Sequence, residues 1–164
     1  MTTQLKLPHA TIDAPQDLIV IGHSVRTAAA TATRDIPALW QKFMGGGLGP
    51  DMLGGADPTK IYAVYCDYQS DANGPYTMVL GHAVGPEVKV PDGLRRVRIP
   101  SGRYLELNLE GDPAQVVWRA WSEINDPAHP VEPRRFIADF ECYPVARLRP
   151  DFAAIQLRVG LADH

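Results

Sequence analysis

The sequence predicts an α+β fold, in which two fused β-α-β-β modules with pseudo-twofold symmetry form an antiparallel sheet, and two main helices flank a central cleft. Two observations support this prediction. Strand-like and helix-like segments follow one another in the order β-α-β-β twice along the chain. The two rounds also resemble each other in sequence, which divides the chain into module one at about residues 17–90 and module two at about residues 91–161.

Module one begins after residues 1–16, which we expect to be a flexible leader. The run DLIVIGHSVRT at 17–27 is rich in β-forming residues and predicts the first strand. Residues 34–44 place their apolar side chains at steps of three to four residues. That spacing predicts a helix, and Pro37 suits its first turn.

The rest of module one is a glycine-rich loop and a hairpin. The segment GGGLGPDMLGGADP at 45–58 ends the helix and forms a loop, which either leaves the cleft open or covers it as a lid. Because this loop follows a helix instead of preceding one, it does not have the context of a phosphate-binding loop. Strands at 60–68 and 76–84 are joined by a turn at Asn73-Gly74.

Module two repeats this order. Residues 94–111 are two strand pieces around a turn at Pro100-Ser101-Gly102. Asp112 then caps a helix over 113–125 that has proline at its first position. Two further strands, at 136–143 and 153–161, complete the module.

The internal repeat predicts where the cleft lies. IYAVYCDY at 61–68 aligns with FIADFECY at 136–143, an offset of 75 residues that places Glu141 at the position of Cys66. The helices align at an offset of 78 residues, so that Trp40-x-x-Phe43 matches Trp118-x-x-Trp121. A cleft along the pseudo-twofold axis would place Glu141 near its centre.

Length and composition limit the class of protein. The chain has 164 residues and a net charge of -3, which fits one domain over residues 17–164 and argues against direct nucleic-acid binding. No apolar run is long enough to span a membrane, and the N-terminus lacks the apolar core of a signal peptide. We therefore expect a cytoplasmic protein.

The residues that most often carry chemistry form no known motif. The five histidines are scattered, and the two cysteines form no metal-binding or CxxC spacing, so we expect no metal and no cofactor. None of the serines lies in a G-x-S-x-G elbow.

Glu141 is the most unusual residue of the predicted strands, because an unpaired buried carboxylate is costly. Alternation along the strand places Asp139, Glu141 and Tyr143 on one face, and Phe140 on the other. An acid beside a tyrosine can recognise a cation through its charge and through the aromatic face. The alternatives are a solvated strand face, or an ion pair with Arg134, Arg135 or another arginine.

Aromatic residues allow two interpretations. Those of the helices, Trp40, Phe43, Trp118 and Trp121, are either core or the walls of a shared cleft. Tyrosines on the strands can line the same cleft, since a tyrosine needs only a partner for its hydroxyl. The candidates are Tyr62, Tyr65, Tyr68 and Tyr104.

The segments VIGHSVRT, IPALWQKFM, IYAVYCDYQSDANGPYTMVLGHAV, IPSGRYLELNLEG and RRFIADFECY occur in this order over residues 17–161. Together they resemble the gyrase-inhibitor-like family, which is related to the effector-binding domains of AraC-type and MerR-type transcription regulators. The resemblance implies two fused β-α-β-β modules around a cleft that binds bulky, often cationic or aromatic, small molecules. The family's central glutamate falls on Glu141.

The resemblance implies three possible functions. The first is a stand-alone protein that binds cationic or amphipathic aromatic molecules, its site formed by Glu141, Trp118, Trp121, Trp40, Tyr65, Tyr104 and Tyr143. The second is a hydrolase of cyclopropane-type electrophiles, in which Glu141 acts on water and Tyr65 or Tyr104 donates a proton. The third is a protein-interaction module, such as an inhibitor of gyrase or a partner of a regulator. We expect a monomer or a homodimer, and no helix-turn-helix before the first strand.

Overall fold

The computed structural model describes residues 5–47, 53–54, 56–128, 130–131 and 133–163. Within these ranges the chain forms strands and two α-helices in the predicted α+β arrangement. In chain order the elements are β1 (Ala10–Ala14), β2 (Leu18–Thr27), α1 (Ala32–Lys42), β3 (Lys60–Cys66), β4 (Tyr76–Val84), β5 (Arg95–Ile99), β6 (Gly102–Gly111), α2 (Pro113–Ile124), β7 (Ala138–Pro144), β8 (Leu148–Arg149) and β9 (Phe152–Gly160).

The described strands form one sheet in the order β1-β6-β9-β7-β3-β4-β2-β5, and β8 pairs with β9. Every pairing among them is antiparallel. The order is symmetric about the contact between β3 and β7, because β4 and β2 follow on one side as β9 and β6 follow on the other. The predicted pair of modules, β2-α1-β3-β4 and β6-α2-β7-β9, is thereby confirmed.

The leader contains a strand that the sequence reading missed. Residues Ala10–Ala14 form β1, which pairs with β6 of module two, and β5 makes the equivalent pairing with β2 of module one. The expectation of a flexible leader over residues 1–16 is therefore wrong for this stretch. The physical reason is the open edge of β6, whose backbone groups need partners.

The sheet curls strongly. Only Pro100 and Ser101 separate β5 from β6, yet the two strands lie six positions apart in the sheet order. A flat sheet would hold them about 29 Å apart at a spacing of about 4.8 Å per strand. Three chain steps reach only about 11 Å. The sheet therefore closes around an inner cluster of side chains, which contains Val20, Tyr62, Val64, Cys66, Val79, Val97, Ile99, Tyr104, Ala138, Phe140 and Cys142.

The helices cover the other face of the sheet. The cap predicted for α2 is confirmed, since the Asp112 side chain accepts a hydrogen bond from the backbone N–H of Ala114 at 3.0 Å. Helix α1 continues into a wider turn over Phe43–Gly47, where Gly46 takes a φ of 91° that suits glycine. The loop at 45–58, for which a lid was considered, includes residues 48–52 and 55, which lie outside the described ranges.

The pleat corrects one detail of the repeat. Cys66 points into the inner cluster, whereas Glu141 points toward the helices and lies directly opposite Ala63. An offset of 75 residues therefore pairs side chains from opposite faces, since a one-residue shift reverses the face of a strand. Cys142 of β7 lies opposite Tyr62 of β3, and Tyr62 is four residues before Cys66 on that strand. Both cysteines are free thiols.

No helix in the part of the chain that the structure describes has the length and apolar character needed to cross a bilayer.

Candidate functional site

A cavity of about 890 Å³ lies between the two helices and above the central strands β3 and β7. Its walls come from the inward faces of α1 and α2, and its floor from tyrosines of the sheet and from Glu141. The lining residues are Ala29, Ala32, Thr33, Ile36, Pro37, Trp40, Met44, Tyr65, Tyr68, Ala72, Tyr76, Pro113, Ala114, Val117, Trp118, Trp121, Ser122, Asn125, Arg134, Glu141, Tyr143, Leu148, Arg149 and Pro150.

Glu141 lies in the floor of this cavity and is only 1% exposed. Three neutral donors hold its carboxylate. The Tyr143 hydroxyl donates to Oε1 at 2.5 Å, the Tyr65 hydroxyl donates to Oε2 at 2.5 Å, and the Trp121 indole N–H donates to Oε2 at 2.7 Å. A carboxylate has about four acceptor positions, so these donors fill most of them.

Burial dominates the electrostatics of this group. It raises the pKa of Glu141 above the usual value, and the hydrogen bonds from Tyr143, Tyr65 and Trp121 counter only part of that rise. Burial, together with the nearby Glu141 charge, also holds the pKa of Tyr65 and of Tyr143 well above the usual tyrosine range. Both hydroxyls therefore keep their protons and act as donors to the carboxylate at neutral pH.

Neither alternative for Glu141 matches the structure. Its low exposure excludes a solvated strand face, and no arginine, lysine or histidine of the described residues forms an ion pair with it. Arg134 pairs instead with Asp139 at 2.9 Å, and Arg135 packs over the Tyr104 ring on the other side of the sheet. The Glu141 charge is thus uncompensated within the described part of the chain.

Asp139, two residues before Glu141 on the same face, has the opposite environment. It is fully buried, and its Oδ1 accepts from the backbone N–H of Gly160 at 2.8 Å. Its Oδ2 accepts from the Tyr68 hydroxyl at 2.5 Å and from Arg134 at 2.9 Å. Strand β7 therefore carries a neutralised carboxylate beneath the cavity lining, Asp139, and a carboxylate in the cavity floor, Glu141, that has only neutral donors.

The tryptophans of the two helices contact the tyrosines that bind Glu141. Trp121 of α2 meets Tyr65 edge-on at 5.1 Å, and Trp40 of α1 meets Tyr143 edge-on at 5.0 Å. Trp118 lies at the rim of the cavity and is 71% exposed. Phe43, by contrast, is buried in the core against the ring of His82.

Six of the seven candidate site residues line one cavity: Glu141, Trp118, Trp121, Trp40, Tyr65 and Tyr143. Tyr104 does not, and both roles considered for it, as a ligand contact and as a proton donor, fail on position. The pleat of β6 directs Leu105 and Leu107 toward the helices and Tyr104 into the inner cluster, where its hydroxyl donates to the carbonyl of Pro100.

Sequence reasoning missed Tyr76 and Arg134 as lining residues. Tyr76 could have been found, because it shares the strand phase of Met78 and Leu80, which point toward the helices. Arg134 could not, since it lies outside the strands, and its pairing with Asp139 depends on the tertiary structure.

Comparison with known proteins identifies the family. The family model described as Cass2, integron-associated effector binding protein, matches residues 11–161. The chain belongs to this family. The predicted resemblance to gyrase-inhibitor-like proteins is confirmed, and the chain is a small-molecule-binding protein of that type.

Individual relatives cover nearly the whole chain. The integron cassette protein VCH_CASS2 of Vibrio cholerae has a TM-score of 0.67 and 25% identity, covering 92% of this chain and 95% of its own. YobU of Bacillus subtilis, a proposed transcriptional regulator, is 27% identical over 146 residues, which are 85% of this chain and 89% of YobU. The structure of SAV2435 bound to tetraphenylphosphonium shares the fold, with a TM-score of 0.67, 12% identity and coverage of 93% and 94%.

Proposed function

We propose that this protein binds organic cations that have an aromatic or amphipathic body, and that Glu141 recognises their positive charge. The observation that carries the proposal is a carboxylate that is 1% exposed, faces the cavity and has only neutral hydrogen-bond partners among the described residues.

The energetics favour a cationic occupant. Removing a carboxylate from water is costly unless the charge is compensated, and the raised pKa of Glu141 shows that its three donors offset only part of this cost. A cation in the cavity would supply the missing charge in a poorly screened environment, where the attraction is stronger than in water. An anionic or neutral molecule of the same size would leave the carboxylate uncompensated.

The walls suit the body of such a ligand. Indole and phenol faces attract cations through their quadrupole, and Trp40, Trp118 and Trp121 supply large, flat surfaces around Glu141. A volume of about 890 Å³ is within the range of sites for drug-sized molecules. Tetraphenylphosphonium, which the structure of SAV2435 contains, is an aromatic cation of this class.

Two other functions are alternatives to cation binding. A hydrolase would use Glu141 as a base for water, with Tyr65 as the proton donor in place of Tyr104, and the raised pKa of Glu141 would favour that role. A partner protein such as gyrase or a regulator would need a surface besides the cavity. The enclosed, aromatic setting of Glu141 favours binding over both.

The test is a fluorescence titration with cationic, neutral and anionic aromatic compounds of matched size. All three tryptophans of the chain line the cavity, so an occupant changes their emission. We expect only cations to bind well, and Glu141→Gln to weaken them by about 1.5–3 kcal/mol, the scale of a hydrogen bond to a charged group.

Glu110→Gln is the matched control, because Glu110 is exposed, lies outside the cavity and carries the same charge. It should leave the affinity unchanged. Equal binding of cations by wild type and Glu141→Gln would contradict the proposal.

A further inference from the structure

Four tyrosines line the described part of the cavity, and one of them has an unused hydroxyl. Tyr65 and Tyr143 donate to Glu141. Tyr68 donates to the second buried acid of β7. The hydroxyl of Tyr76 has no hydrogen-bond partner among the described residues.

The Tyr76 hydroxyl is open to the cavity. The residue is half-buried, and the side-chain polar atoms that are sealed without a partner in the described chain belong to one histidine and two arginines. The other hydroxyls of the lining are those of Ser122 and Thr33, which are exposed residues fully served by water. Tyr76 therefore carries the lining hydroxyl whose hydrogen bonding an occupant of the cavity takes over from water.

Packing fixes the position of this hydroxyl. Tyr76 begins β4 and belongs to the set of side chains that pack on the helix side of the sheet. Its ring contacts those of Tyr65 and Tyr68, at centroid distances of 5.8 Å and 5.9 Å. The ring is thus held from two sides, whereas the hydroxyl contributes no bond to the fold.

Two carboxylates each lie one side chain away from Tyr76. Tyr65, which packs on Tyr76, donates to Glu141 at 2.5 Å. Thr27, directly opposite Tyr76 on β2, donates to Asp35 at 2.9 Å. Burial first, and then the charges of Glu141 and Asp35, raise the pKa of Tyr76. The hydroxyl therefore keeps its proton and lies in a negative potential.

The positive groups near the cavity do not cancel this potential. Arg34 pairs with Asp35 at 3.1 Å but is 76% exposed, so water screens its charge. Asp35 also faces the positive end of α1, since it lies in the first turn. Arg134 is neutralised by Asp139 at 2.9 Å. Arg149 is exposed and lies in β8, with β9, β7 and β3 between it and β4.

The sign of the potential determines which ligand group fits at Tyr76. A carbonyl or another acceptor carries a partial negative charge and is disfavoured there, whereas a charged N–H is favoured. The lone pairs of the tyrosine oxygen can accept that N–H.

Glu141 cannot satisfy such a ligand alone. Its Oε2 already accepts from Tyr65 and Trp121, and its Oε1 accepts from Tyr143. Because a carboxylate has about four acceptor positions, Glu141 has room for about one more hydrogen bond. A cation with two N–H groups therefore needs a second acceptor in the cavity.

We infer that the Tyr76 hydroxyl is a second recognition group, which accepts a hydrogen bond from a charged N–H and so stabilises bound protonated amines and amidines but not quaternary cations. This inference rests on the proposed function, since it assumes that the positive charge of the ligand lies near Glu141. A quaternary cation meets the charge of Glu141 in the same way and gains nothing from Tyr76.

The test uses two cations with the same aromatic body, one ending in methylammonium, with two N–H groups, and one in trimethylammonium, with none. Both are titrated calorimetrically at neutral pH into wild type and Tyr76→Phe, which keeps the ring and removes only the hydroxyl. We expect the substitution to weaken the methylammonium compound about tenfold or more, the scale of one hydrogen bond to a charged group. The affinity for the trimethylammonium compound should stay the same.

The decisive quantity is the change in each affinity when the hydroxyl is removed. The two cations differ in the cost of leaving water, but this difference is the same for both proteins and cancels in the comparison. Tyr62→Phe is the matched control, because Tyr62 lies in the inner cluster on the other face of the sheet and should affect neither affinity. Melting curves should show little change for Tyr76→Phe, whose lost hydroxyl has no partner among the described residues.

An equal loss of affinity for both cations in Tyr76→Phe, or no loss for either, would overturn the inference and leave the proposed function intact. Tighter binding of the methylammonium compound by Tyr76→Phe would also overturn it. If neither cation binds wild type, the proposed function fails, and this inference fails with it.

Discussion

Replacing Asp139 by its amide is expected to destabilise the protein strongly, whereas the same replacement at Glu141 is expected to leave the stability unchanged or slightly higher. The two carboxylates lie two residues apart on the same face of β7 and are almost completely buried. Asp139 has an arginine partner, whereas Glu141 has only neutral donors. The comparison therefore tests, in the ligand-free protein, whether the charge of Asp139 is compensated and that of Glu141 is not.

Asp139→Asn leaves the buried Arg134 guanidinium without its counter-charge. Breaking a buried ion pair on one side costs about 3–5 kcal/mol in free energy of unfolding. For a protein of this length, a loss of 1 kcal/mol lowers Tm by about 2–4 °C, so a fall of about 6–20 °C is expected.

Glu141→Gln removes a charge that burial makes unfavourable. The amide oxygen of Gln can still accept from Tyr65 and Trp121, and its NH2 can donate to the Tyr143 oxygen. We expect the free energy of unfolding at pH 7 to stay the same or to rise by about 1 kcal/mol, since uncharged replacements of buried ions are often neutral or stabilising.

The pH dependence of stability is an independent test of whether the Glu141 charge destabilises the folded protein. Its pKa is raised in the folded state, so the folded protein holds this proton more tightly than the unfolded chain. The destabilisation is absent below the unfolded pKa and develops as the pH rises through the folded pKa. Urea unfolding of wild type and Glu141→Gln from pH 4.5 to pH 7.5 should therefore show a difference in stability that grows with pH.

A loss of about 2 kcal/mol or more in Glu141→Gln at pH 7 would refute this reasoning, because hydrogen bonding to the charged form would then outweigh burial. A difference in the free energy of unfolding between wild type and Glu141→Gln that shrinks as the pH rises would also refute it.

Three further predictions concern the ligand and the edge of the sheet. The affinity for a cationic aromatic compound should fall as the pH is lowered through the Glu141 pKa, because the protonated acid loses its charge. Glu141→Gln should bind weakly at every pH, and a strong pH dependence of its affinity would contradict the role of Glu141 as the cation-binding group. Trp118→Ala should weaken ligand binding by about 0.5–1.5 kcal/mol and change the free energy of unfolding by less than about 0.5 kcal/mol, because the indole is exposed at the rim. A drop in Tm without loss of affinity would instead show that Trp118 packs in the core. Ile12→Ala should lower the free energy of unfolding by about 1–2 kcal/mol, since Ile12 in β1 packs against the inner cluster; no change in urea unfolding would indicate the flexible leader that the sequence suggested.

Most of the fold could be predicted because its elements carry local patterns. The helices have apolar residues at helical spacing, and the central strands have long apolar runs with turn residues between them. Strand β1 could not be recognised in this way, since Ile12 is its only large apolar residue. Its formation depends on the open edge of β6, which no local pattern reveals. A weak signal did exist: Pro15 follows β1 as Pro100 follows β5.

The site could be predicted in part for a related reason. Alternation correctly placed Asp139, Glu141 and Tyr143 on one face of β7, and the repeat pointed to tryptophans that line the cavity. It could not show that Tyr104 faces away from the cavity, because the curled sheet buries side chains on both faces and both phases of β6 are apolar. The partner of Arg134 also depends on how distant segments meet in three dimensions.

The measurement that tests the central claim most directly is a calorimetric cycle with two ligands and two proteins. A cationic aromatic compound and its neutral isostere are titrated into wild type and into Glu141→Gln, and the coupling free energy between the two charges is taken from the four affinities. We predict that wild type prefers the cation by about 1.5–3 kcal/mol and that Glu141→Gln has lost this preference. A coupling close to zero would show that the charge of Glu141 does not recognise the ligand.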